Sequence, residues 1–193
     1  MKAVVELPEE YEETLKIDLQ KNKKLMLLIN GLAIAIALVM AAAWFAVYAA
    51  REIPLFDNSI VISIPQLVVA LVGMVVYVIL HELVHGFFFA RYGQSKPRYG
   101  FTGLYAFAAS DDYFGKAQYL IIGLAPVIIW GVVLLVMQLL VPSQWSWVVY
   151  FIQIMNISGA AGDFYVTVKL LKMRDAILIR DWGTSMSIYA PKK

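Results

Sequence analysis

His81-Glu82-Leu83-Val84-His85 is the segment of this 193-residue chain best suited to do chemistry. It holds the only two histidines, four residues apart. On a helix that spacing puts both imidazoles on one face, one turn above the other. Each ring can then give a nitrogen to a single Zn²⁺ at ~2.0–2.1 Å. Glu82 falls on the adjacent face, where its carboxylate is placed to act as a base toward water. A catalytic zinc site uses three protein ligands and keeps one position open, so a third ligand is required. No histidine remains, there is no cysteine, and residues 86–90 are apolar or aromatic.

The elements that must hold these groups follow from composition. Hydrophobic residues make up 61% of the chain, charged residues 16%, and mean hydropathy is +0.72. An average soluble domain is only ~45–50% apolar, so a disordered chain is excluded and the composition argues against an ordinary soluble enzyme. The absence of cysteine excludes disulfide scaffolds and thiol nucleophiles. A net charge of +2 offers nothing to nucleic acid. Apolar stretches at 25–50, 66–90, 117–141 and 147–171 each exceed the ~18 residues that mark a transmembrane helix. The expected fold is therefore an all-α membrane protein, one integral domain over 1–193 with four transmembrane helices. Residues 1–24 read as a cytoplasmic arm and 172–193 as a cytoplasmic tail. The glycine-punctuated, aromatic stretch 98–110 reads as a short cytoplasmic hairpin or re-entrant segment between helices 2 and 3.

Orientation follows from the basic residues. Of the 16 Lys and Arg, only Arg51 lies outside the three segments before 25, between 90 and 117, and after 168. The positive-inside rule places those three segments in the cytoplasm, with both termini, and loops 51–65 and 142–146 outside. The expected localisation is a multi-pass protein of the cell membrane, in contact with the lipid bilayer.

Ionisable groups inside a bilayer are costly, at roughly +2.5–3.5 kcal/mol each, and therefore informative. Well inside the spans they are His81, Glu82, His85 and Asp163. The histidines lie about 22–28 Å along the second span and Asp163 about 24 Å along the fourth, and both spans run in the same direction. Asp163 is thus level with the histidines and available as third ligand. It follows the small-residue run Ser158-Gly159-Ala160-Ala161-Gly162, which lets helices approach closely. Asn156 is the other polar side chain of this span able to face the site. Gly123-Leu124-Ala125-Pro126 should kink the third helix.

These residues resemble the site-2 protease class of intramembrane zinc metalloproteases. The likeness takes in the His-Glu-x-x-His helix closing on Arg91-Tyr92-Gly93, Gly100-Phe101 in the next loop, Gly123 to Pro126, and Asn156 to Asp163. Over most of its length the chain also looks like small prokaryotic membrane proteins described as putative zincin peptidases. The resemblance implies one Zn²⁺ on His81, His85 and Asp163, Glu82 as catalytic base, and Asn156 as a substrate-binding residue. The run 157–162 lacks the prolines that class carries there, which leaves a continuous and a broken helix both open. The implied activity is hydrolysis of peptide bonds in membrane-embedded or membrane-adjacent substrates. The alternatives are a non-catalytic membrane protein that transports or senses divalent ions, and an inactive regulatory relative. A transporter would want polar residues on both sides of the site, whereas the outer halves of these spans are nearly pure hydrocarbon.

Overall fold

The computed structural model describes residues 2–50, 63–103 and 105–192. The chain is mostly helical. Helices α1 (Lys23–Ala50), α2 (Ile64–Tyr92) and α3 (Lys116–Leu140) carry the apolar excess. They are long and apolar enough to cross a membrane, over Lys23–Val47, Ile64–Tyr92 and Lys116–Leu140, which is compatible with a membrane protein. Their outward residues include Leu38, Val39, Leu71 and Leu139, an exposed surface better suited to lipid than to water.

The ends of α2 are set by local chemistry. Ser63 caps the N-terminus: its hydroxyl accepts from the Gln66 N–H while the Gln66 side chain accepts from the Ser63 N–H. At the other end the chain turns at Gly93, where a Cβ would meet Asp112 Oδ2 at 2.5 Å. Asp112 accepts from the backbone N–H groups of Gln94 and Ser95 and from the Ser95 hydroxyl. Burial opposes charge on Asp112, but the Ser95 and Gln94 donors win and hold its carboxyl below the usual range. The helix that carries His81 and His85 is thereby anchored at its end to the sheet.

Strands β1 (Tyr11–Asp18), β2 (Arg98–Phe101), β3 (Ala106–Gly115), β4 (Leu178–Asp181) and β5 (Ser185–Pro191) form one antiparallel sheet in the order β1-β5-β4-β3-β2. The expected helical character holds, but the chain is not all-α, because this sheet accompanies the helices. The arm contributes β1 and the tail β4 and β5. In β1 the alternation of inward Leu15 and Ile17 with Lys16 and Asp18 is a strand period, which the high charge of the arm conceals. The β4–β5 turn needs Gly183, at φ +96°, where a Cβ would also collide with the Phe107 ring. Ile17, Phe89, Phe114, Ile122, Leu170, Ile179 and Ile188 form one buried core joining sheet and helices.

The stretch expected as one span over 147–171 is two helices, α4 (Ser146–Gly159) and α5 (Ala161–Leu171). Ala160 leaves the helical region, at φ −79° and ψ 11°, between Gly159 and Gly162. Two glycines within four residues weaken the helix enough for a break without proline. Of the expected outer loop 51–65, residues 51–62 lie outside the described residues.

Candidate metal centre

Helix α2 presents His81 and His85 on one face, with ring centroids 4.9 Å apart. The break after α4 turns the chain so that Asp163 falls in the first turn of α5, facing them. Its two oxygens divide between the rings, with Oδ2 3.7 Å from His81 Nε2 and Oδ1 3.8 Å from His85 Nε2. One ligand atom from each of the three residues lies within 4.8 Å of the other two. Glu82 stands outside that cluster, with the Ala108 backbone N–H of β3 directed at its carboxylate.

The ring nitrogens pointing away from Asp163 decide whether this set suits a metal. His85 Nδ1 lies 2.9 Å from the Ile122 carbonyl, which can only accept, so Nδ1 carries the proton. His81 Nδ1 lies 2.8 Å from the Tyr77 hydroxyl, whose own hydrogen goes to Asn156 Oδ1 at 2.9 Å. The Asn156 amide is oriented by donation from Nδ2 to the Val127 carbonyl at 3.1 Å. With its one hydrogen committed, the Tyr77 oxygen accepts from His81, and that ring too is protonated at Nδ1. In the neutral form of each ring that leaves the Nε2 lone pair free, and both Nε2 atoms face Asp163 in the cluster. Two neutral imidazole nitrogens and a carboxylate, each histidine held from behind, are the donor set and the outer contacts that zinc sites use.

Asn156 is the residue to which the resemblance gives a substrate-binding role. In the structure it is 0% exposed, with both ends of its amide engaged, and its Oδ1 accepts from the Tyr77 hydroxyl that contacts His81. Tyr77 itself could have been found by counting, since it precedes His81 by four residues, as His81 precedes His85.

A cavity of about 360 Å³ lies over these groups and reaches between α1 and β3. It also exposes Tyr119 of α3 and Asp181 at the end of β4. Tyr119 donates its hydroxyl to Asp181 Oδ2, and the Gly183 N–H donates to Oδ1 at 2.7 Å. Burial pushes the Asp181 carboxyl up to about 7, against these two donors and with the help of nearby Asp163 and Glu82. Nothing in the order of residues marks Asp181. It reaches the cavity only because the tail folds back as β4.

A helix-borne His-Glu-x-x-His closed by a carboxylate from a second helix is the arrangement of zincin-type sites. The chain belongs to the family described as putative zincin peptidase, which it matches over residues 74–178. That range contains His81, Glu82, His85, Asn156 and Asp163 and omits β1, α1 and β5. No curated protein and no solved structure matches the chain.

Proposed function

We propose that the protein is an intramembrane zinc metallopeptidase, with His81, His85 and Asp163 as metal ligands and Glu82 as catalytic base. The observation that carries this reading is the convergence of two free Nε2 lone pairs and the Asp163 carboxylate beside Glu82. When bound, zinc supplies Lewis acidity that polarises a peptide carbonyl and acidifies water toward a pKa of ~7. Glu82 takes a proton from the attacking water as oxygen adds to the carbonyl carbon. It returns that proton to the amide nitrogen as the C–N bond breaks, giving an acid and an amine. Membership of the family supports peptidase chemistry, and the apolar helices around the site support a substrate that is membrane-embedded or membrane-adjacent. In this reading α4 and α5 together make a fourth crossing, with both termini and the site's end of the bundle in the cytoplasm.

Purified protein is expected to carry about one zinc per chain and to cleave a transmembrane substrate. Chelation should abolish cleavage, and added zinc should restore it. Cleavage that survives complete removal of metal, measured by elemental analysis of the assayed sample, would rule out the mechanism. Topology has its own measurement. Reporter fusions at residues 55–60 should score as external and fusions near Lys193 as cytoplasmic; the reverse result would move the site to the outer half of the bilayer.

A further inference from the structure

Helix α3 contains a proline in its interior, Pro126, and it is fully buried. Proline has no backbone N–H, so the carbonyl four residues earlier loses its helical donor. That carbonyl belongs to Ile122, and it is the one that takes the Nδ1–H of His85 at 2.9 Å. A buried carbonyl left without a donor is costly. Here the imidazole of the facing helix fills the place that the helix's own N–H would have taken.

We propose that Pro126 is a positioning residue of the metal centre: by leaving the Ile122 carbonyl open, it holds His85 with Nδ1 protonated and Nε2 presented to the metal. The inference rests on the metallopeptidase reading for its purpose, though not for its geometry. The two histidines are held by different devices. His81 uses a side-chain relay through Tyr77 and Asn156, whereas His85 uses a backbone carbonyl that residue 126 leaves without its helical donor. A merely structural Pro126 would act on His85 only through the shape of α3, and the missing N–H would by itself change nothing.

The test compares Pro126→Ala with a second variant in which residue 126 is the α-hydroxy acid analogue of alanine. The first restores an N–H opposite the Ile122 carbonyl; the second lacks both the proline ring and the N–H. In metal-free protein labelled with ¹⁵N-histidine, the 2 histidines of the chain give two resolvable rings, each reporting its own tautomer. Wild type is expected to show both rings protonated at Nδ1. In Pro126→Ala the His85 ring should become a mixture of tautomers while His81 stays unchanged. Zinc affinity, measured by chelator competition, should fall about tenfold, at the low end of the ~10–100-fold effect of outer contacts. A carbonyl has two lone pairs, so the restored N–H shares the acceptor and does not abolish it. The hydroxy-acid variant should return both readouts to near wild type. Unchanged His85 tautomer and affinity in Pro126→Ala would overturn the proposal. So would an equal loss in both variants, which would assign the effect to the bend. A wild-type chain that binds no zinc would sink the metallopeptidase reading instead, and the metal-free tautomer comparison would still decide the role of Pro126.

Discussion

Replacing Glu82 by Gln is expected to lower peptide cleavage by at least ~10²-fold, the low end of general acid–base contributions, with zinc content unchanged. Glutamine keeps the shape of the side chain and an oxygen for the Ala108 N–H, but its amide cannot take a proton at neutral pH. Metal should be retained because Glu82 lies outside the cluster of His81, His85 and Asp163. The result separates an enzyme from a metal carrier, since transport or sensing needs the ligands and not the base. Elemental analysis and a cleavage assay on the same preparation make the comparison. Wild-type cleavage by the Gln variant would dispose of the hydrolytic role of Glu82.

Residues that are costly in a bilayer were legible from the sequence, and that cost is why. His81, Glu82, His85 and Asp163 have no cheap reason to interrupt apolar runs, and counting along the spans puts Asp163 level with the histidines. The structure brings its oxygens to 3.7 and 3.8 Å from the two rings. Groups for which burial is ordinary were not legible. Tyr119 and the Ile122 carbonyl are unremarkable in an apolar helix until a partner from another element arrives. The sheet was missed for a related reason. Strand β1 draws its partner from the far end of the chain, pairing Tyr11 with Pro191 and Asp18 with Ser185, and no local signal encodes that pairing. The consequence reaches the site, because β4 and β5 carry Asp181 and Gly183 to the cavity wall.

The break between α4 and α5 shows how a weak local signal becomes decisive in three dimensions. A continuous helix through 147–171 would keep Asn156 and Asp163, seven residues apart, on the same face two turns apart. In the broken form Asn156 stays with α4 and braces Tyr77, while Asp163 begins α5 and meets the histidines. The two residues thereby lie on opposite sides of His81, Asn156 behind it through Tyr77 and Asp163 in front.

Asp163→Asn should cost more metal affinity than any change behind the ligands, a fall of more than ~10²-fold against the ~10–100-fold typical of outer contacts. The carboxylate offers two anionic oxygens, one toward each ring, whereas the amide offers one neutral oxygen and a nitrogen that cannot coordinate through a lone pair. Cleavage should fall with affinity and recover partly in excess zinc. The fold should be little disturbed, because the approaches of 3.7 and 3.8 Å to the rings are too long for hydrogen bonds. Asp181→Asn supplies the control. It removes a carboxylate from the same cavity and leaves the three-ligand cluster intact, so zinc affinity should stay within a few-fold of wild type. Chelator competition on the two variants side by side, at a pH above 7 where the Asp181 carboxyl is ionised, distinguishes loss of a ligand from loss of negative charge near the metal. Equal affinity losses in both would mean that the cavity holds the ion by charge alone. An Asp163→Asn protein that binds zinc as tightly as wild type would place the third ligand elsewhere.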